Sequence, residues 1–375
     1  HLDVDMNVVH IVFEVPQPKG SGAVLRNHAL SLSFLQHGLS STIAVQEYFP
    51  SGKRHPPRKP SFIEAKIPHE IVADVVDRVD KAKPDLVVVE GIYLADIAYA
   101  LHAAGHRIAI DMHNIESAVQ KETDIARKPW RARMFYGARW AKAERAEANL
   151  AAISSGVWVC SEPDVLRLQR ILKLDVPIHI VQNPIPAWCL NTRPVDVRPG
   201  IRSVFVGHLS YLPNVHAAVR LMKHIHPAIR RQAPSAQLDI CGRAPGKKLR
   251  KLAQLGRNVR LTIAPKELGP IYAQATVAVI PLDTGGGTRL KVLEAMAVGV
   301  PVVATAKAVE GLNLTPDRTY LQAKTDVEFA AAVHRLTEDR PLRDRLVKTG
   351  RQHVLEHHGP TAINRAVSLA LSPRD

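Results

Sequence analysis

From Val8 onward, short runs dense in Val and Ile and lacking polar alternation take turns with stretches whose apolar residues recur at helical spacing. Consecutive apolar positions suit strands buried on both faces, and strands that alternate with helices predict parallel sheets covered on both sides. The first half carries such runs at Val8–Phe13, Thr42–Val45, Asp85–Val89, Arg107–Asp111, Val157–Cys160 and Ile178–Val181. The pattern then repeats. A strand is predicted at Ser203–Val206, a helix from Asn214 to about Arg231, and strands at Gln237–Cys241 and near Val259, Val277 and Val302, with helices from Asp326 to His357. Between the halves, NPIPAWCLNTRPVDVRPG carries four prolines, which lack the amide hydrogen a strand or helix interior requires. The predicted organisation is one α/β domain over 1–183, a Pro-rich linker over 184–200, a second domain over 201–358, and a closing segment, 359–375, that returns as a helix to the first.

Length agrees with that division, since 375 residues exceed one ordinary core and suit two. With 46% apolar, 23% charged and 5% aromatic residues, the composition is that of a globular protein. No apolar stretch approaches the roughly 20 residues of a membrane span, and the first residues have no signal-peptide pattern. The expectation is a cytoplasmic protein, with attachment to the inner face of the cell membrane left open. Cys160, Cys189 and Cys241 are too far apart for a zinc site or a disulfide framework and are expected as small buried hydrophobes. A net charge of +15 implies polyanionic partners: nucleic acid, nucleotide diphosphates or an anionic membrane face.

The densest chemistry lies in PLDTGGGTRLKVLEAMAVGVPVVAT, Pro281 to Thr305, where a strand ends, three glycines turn the chain and a helix begins. With Thr288 as N-cap, Arg289 and Lys291 fall in the first helical turn, where the backbone dipole already disfavours cations. Glycine amides at Gly286 and Gly287, a helix N-terminus and two cations together make an anion site suited to a diphosphate. Lys291 and Glu294 share a helix face, while Leu290, Leu293 and Ala297 are expected to pack on the sheet. Glu294 lies one turn below the phosphate position, where a carboxylate can accept from ribose hydroxyls. On local chemistry alone, a capped surface helix with solvated Arg, Lys and Glu is the alternative.

This segment resembles the donor-binding stretch of family 4 retaining glycosyltransferases, also grouped as glycosyl transferases group 1. The resemblance implies the GT-B fold, two Rossmann-like doubly wound parallel-sheet domains facing each other across a cleft. It implies a nucleotide diphosphate sugar as co-substrate, with Glu294 on the ribose, Lys291 on the diphosphate and Gly286, Gly287, Thr288, Arg289 and Leu290 around the donor. Many members carry E-x7-E, but Gly286 stands where the first Glu would be. The likeness extends to VPQPKGSGAVLRNHA, whose Gly20 and Gly22 precede a helix carrying Arg26, and to IAIDMHNIES, whose His113 follows a strand as does the family's sugar-contacting histidine. In VFVGHLSYLPNVH, Gly207 and His208 occupy the place where relatives carry Gly-Arg, so a familiar cationic contact is missing. A tight turn at the first glycines and a purely structural His113 are the plain alternatives.

ARKPWRARMFYGARWAK, Ala126 to Lys142, holds six cations and four aromatics with no acid. Trp130, Arg131, Arg133 and Trp140 are therefore candidates for an acceptor or an anionic membrane surface, against the alternative of a solvated helix with its aromatics packed inward. The resemblance implies retention of configuration by a front-face route and an acceptor that is a glycan, a lipid-linked sugar or a small molecule. No D-x-D pair sits in the sheet-edge loops, so neither a metal nor a cofactor is expected. Competing functions are a nucleotide-sugar epimerase or phosphorylase-like enzyme of the same fold, and a basic nucleic-acid-binding protein. The absence of any usual nucleic-acid module counts against the last.

Overall fold

The computed structural model describes residues 6–49, 66–127, 129–173, 175–192, 200–286 and 289–372. The chain divides into two compact units. One comprises residues 1–184, 286–288 and 360–375, the other 185–285 and 289–359.

In the first unit, β1 (Val8–Val12), β2 (Ser40–Ala44), β3 (Leu86–Glu90), β4 (Ile108–Met112), β5 (Gly156–Val159) and β6 (Ile178–Ile180) form one parallel sheet in the order β2-β1-β3-β4-β5-β6. Every residue of β1, β3, β4 and β5 is buried, as their unbroken apolar runs require of strands covered on both faces. One cluster of side chains, with Val9, Ile11, Val89 and Ile110, fills one side of the sheet. A second, with Val8, Phe34, Val88, Trp158 and Val367, fills the other. Val367 comes from the Pro360–Leu371 helix, whose Asn364 also donates to Gln36 at 2.7 Å.

The second unit repeats the plan. β7 (Arg202–Val206), β8 (Gln237–Gly242), β9 (Val259–Ile263), β10 (Val277–Ile280), β11 (Val302–Ala304) and β12 (Leu321–Gln322) pair in parallel in the order β12-β11-β10-β7-β8-β9. The two-residue β12 has no sequence signature, being too short for any period. The helix expected from Asn214 runs from Leu212 to Gln232, but a π turn interrupts it at Leu221–Ile225. Pro227 accounts for the widening, since it has no N–H to donate and its ring crowds the carbonyl one turn back.

The predicted linker is corrected in part. Ile185 and Cys189 are buried in the second unit's core, and Ala187–Leu190 is a short helix. The prolines misled because they flank that helix, whereas the apolar residues between them supply its packing. Residues 193–199 of that stretch lie outside the described residues.

Candidate functional site

In the second unit, the chain leaves β10 through buried Pro281 and Leu282 and turns at Gly285, whose φ of +108° favours glycine. A Cβ there would also lie 3.0 Å from the Pro213 side chain and 3.1 Å from the Tyr211 hydroxyl. Gly287 and Thr288 lie outside the described residues, so the proposed Thr288 cap does as well. The helix begins at Leu290 with Arg289 in the N-cap position, one residue later than the expected cap. Lys291 is thus the second helical residue, and no acid occupies the first turn. Val292, Leu293 and Ala297 enter the core, whereas Leu290, expected there, is half-buried.

Lys291 is the informative group. Its Nζ donates to Asn214 Oδ1 at 3.2 Å and sits 5.7 Å from the Phe205 ring centroid. Neither carries a formal charge. Burial, then the neighbouring Arg289 cation, lower its pKa from 10.5 to about 8, while Glu294 pulls the other way. Asn214 is itself fixed, donating to the His208 carbonyl at 3.1 Å and packing on Gly207, where a Cβ would fall 2.9 Å from its amide. Gly207 is required for that close approach, and its role in the site is to seat Asn214. The His208 side chain turns to Ser210, 3.0 Å from its hydroxyl.

Glu294 lies one turn further along and is buried, accepting from the Tyr272 hydroxyl at 2.9 Å. Burial raises its pKa to about 7 against the opposing pull of the Tyr272 hydrogen bond and of Lys291. Tyr272 stacks on Trp188 with ring centroids 6.1 Å apart. Cys189 and Cys241 are close enough to feel the Glu294 charge. The wall behind Glu294 is therefore built partly from residues expected to be linker. Arg289 is buried, donating to the Gly285 carbonyl at 2.8 Å and lying 3.7 Å from Glu310. In this geometry it braces the glycine turn, and Lys291 rather than Arg289 is the cation with no carboxylate at contact distance among the interactions described.

In the first unit, Ser21 caps the helix Gly22–Phe34 by accepting from the Val24 amide, with Gly20 packed against Val24. Arg26 crosses to the end of β4. Its Nη2 and Nε reach Asp111 at 2.6 and 2.8 Å, its Nη1 reaches the Val181 carbonyl at 2.7 Å, and both side chains are fully buried. This pair fixes the carboxyl end of the sheet, where open α/β folds place ligands. His113 follows immediately, half-buried, and its Nδ1 has no hydrogen-bond partner among the described residues.

Glu90 closes β3 beside Asp111 in register, and the Phe13 amide donates to it at 2.8 Å. Burial holds its carboxyl above the usual carboxylate range while the His113 charge opposes the rise. Glu116 and Glu147 extend this acidic edge. Glu147, buried and bonded to the Ser117 hydroxyl at 2.5 Å, is pushed up to about 7 by burial. Sequence reading overlooked Glu90 and Tyr272. The signal for Glu90 was available: a carboxylate ending the apolar run Leu86–Val89 at the edge that carries His113.

Of the basic aromatic residues, Trp130, Arg131 and Arg133 are exposed, with the Arg131 guanidinium 4.7 Å from the Trp130 ring centroid. Trp140, expected with them, is buried. Its indole donates to Asp124 at 3.1 Å and Lys121 lies over its ring, so it is a packing residue. Among the described residues, no three His, Cys, Asp or Glu side chains gather as a metal site, and no helix is long and apolar enough to cross a membrane.

Residues 200–339 match the family model for glycosyl transferases group 1. An uncharacterised 44.6 kDa protein of the Klebsiella pneumoniae cps region is 28% identical over 134 residues, which make up 34% of this chain and 34% of that protein. Among solved structures, a sucrose-phosphate synthase from Thermosynechococcus elongatus superposes with a TM-score of 0.70 at 17% identity, covering 97% of this chain and 98% of that one. Anabaena HepE in complex with UDP and glucose superposes with a TM-score of 0.68 at 14% identity, covering 98% and 99%. Two six-stranded parallel sheets and these neighbours give the GT-B fold.

Proposed function

We propose that this chain, whose residues 200–339 match the family model for glycosyl transferases group 1, moves a hexose-type sugar from a nucleotide diphosphate donor to a glycan, lipid-linked or small-molecule acceptor. Transfer proceeds with retention of configuration and without a bound metal. The observation that carries this reading is Lys291, a half-buried cation set beside a neutral amide and an aromatic face at the start of a helix. A partly desolvated cation whose direct partners are neutral, with Glu294 opposing the loss only from one turn away, is costly, and a helix N-terminus adds to that cost. An incoming diphosphate relieves both.

Glu294, placed one turn deeper, accepts from the ribose hydroxyls, for which it must be ionised. The Lys291 charge and the Tyr272 hydroxyl both favour that form. As the glycosidic bond breaks, negative charge builds on the leaving phosphate, and Lys291 with the first helical amides stabilises it more than it stabilises the ground state. His113, paired electrostatically with Glu90, is assigned to the sugar by likeness to the family.

Calorimetric titration with UDP, GDP, ADP and TDP in EDTA tests the site, beginning with UDP because the HepE complex contains it. Binding of one nucleotide that persists in EDTA, and is lost in both Lys291→Ala and Glu294→Ala, supports the assignment. Wild-type affinity in both variants removes it. Turnover of the corresponding nucleotide sugar in the absence of any acceptor would instead favour an epimerase.

A further inference from the structure

The helix Pro129–Ala152 exposes large apolar side chains over its first half in addition to those it buries. Its inward stripe is Ala132, Trp140, Ala143 and Glu147, all buried at helical spacing against the Glu116–Arg127 helix through Trp140–Asp124 and Glu147–Ser117. On a helix of 3.6 residues per turn, Trp130, Met134, Ala138 and Ala141 fall within about 80° of one another, with Arg131, Phe135 and Lys142 within a further ~60°, on the opposite side. Every one of these is exposed, Trp130 by 64%, Met134 by 70% and Phe135 by 66%. Arg133 flanks the arc on its other edge, and no acid occurs from Trp130 to Lys142.

Three large apolar side chains turned to water on one face, rimmed by cations, require a covering partner. We propose that this face docks on an anionic lipid surface, with Trp130, Met134 and Phe135 in the headgroup layer and Arg131, Arg133 and Lys142 on lipid phosphates. Charge decides the partner. A second copy of the chain would bring the same cations against these, which repels. A soluble polyanion would satisfy the cations and leave the indole, thioether and phenyl groups in water. An anionic bilayer answers both, because its boundary accepts apolar side chains a few ångströms below a layer of negative charge. The inference does not depend on the donor site and survives its failure.

The test is co-sedimentation of the full chain with vesicles of phosphatidylcholine alone or mixed with phosphatidylglycerol. The expected result is binding to the mixed vesicles, weakened by salt, and little binding to the neutral ones. W130S/M134S/F135S should lose more than tenfold in partition, and R131E/R133E should do likewise, since each cation near such a surface is worth roughly fivefold. Both should melt close to the wild type because all five side chains are exposed.

A second readout covers a variant that fails to fold: brominated phosphatidylglycerol should quench wild-type tryptophan fluorescence and leave that of W130F nearly unchanged. Absence of binding to anionic vesicles overturns the proposal, as does equal binding by the apolar triple variant. Self-association without lipid that the triple variant abolishes would assign the face to a second copy. Equal quenching of W130F would place the contact elsewhere.

Discussion

Replacing Lys291 by methionine should stabilise the unliganded protein while abolishing nucleotide binding. The side chain is half-buried, and desolvation with the Arg289 charge lowers its pKa from 10.5 to about 8. Each pKa unit is worth about 1.4 kcal/mol, so at pH 7 the charged form costs the folded state about 3 kcal/mol relative to the unfolded chain. Methionine keeps the stem beside Phe205 and removes the charge. It also leaves Asn214 Oδ1 without its donor, at a cost of about 1 kcal/mol. The net expectation is a gain of about 1–2 kcal/mol, read as a higher urea midpoint at unchanged slope. In the same samples, nucleotide diphosphate that raises the wild-type midpoint should leave the variant unmoved. A variant less stable than the wild type that still binds nucleotide would show that Lys291 is a structural cation, and would refute the argument at its root.

Other outcomes follow from the same geometry. Glu294 has a folded pKa of about 7 against 4.5, so the folded state holds a proton that the unfolded state has lost between those values. Relative to E294Q, wild-type stability should therefore fall by up to about 3 kcal/mol as pH rises from 4.5 to 7, then run parallel in urea titrations. Y272F removes the donor to Glu294, which should cost about 1–3 kcal/mol and weaken nucleotide binding more at pH 6.5 than at 8.5 by calorimetry. G207A forces a Cβ to within 2.9 Å of the Asn214 amide and should destabilise by about 1–3 kcal/mol, with loss of nucleotide affinity because Lys291 loses its seat. R26M leaves Asp111 buried and unpaired and should cost about 3–5 kcal/mol, most of which R26M/D111L recovers in the same denaturation assay.

The sheets were the most legible part of the chain. Runs such as Leu86–Val89 and Val277–Ile280 are apolar at consecutive positions because helices cover both faces of the strands, and that pattern needs no tertiary knowledge. The helix of Lys291 and Glu294 was legible too, since cations in a first turn after glycines contradict helix electrostatics and call for a ligand. What escaped were partners supplied from distant sequence. Tyr272 looks like any aromatic on a short helix, and its hydroxyl matters only because folding brings it to Glu294, 22 positions away. Trp188 was hidden among prolines. Trp140 carried the same local signals as Trp130, and only the neighbouring helix, with Asp124 in reach, turns one inward and leaves the other out. Arg289 likewise read as a phosphate ligand until the fold supplied Gly285 and Glu310 as its neighbours.

The three buried thiols have a use as internal clocks. Cys160 lies in the first unit, Cys189 and Cys241 in the second, and burial pushes Cys160 and Cys241 up to about 12 and Cys189 higher still. None ionises near neutral pH in the closed state, so alkylation waits for each site to open. Labelling rates resolved by mass spectrometry thus time the opening of each unit separately in one unmodified chain. Because Cys189 and Cys241 stand beside Glu294, a bound nucleotide should slow their clocks and leave that of Cys160 running at its own rate.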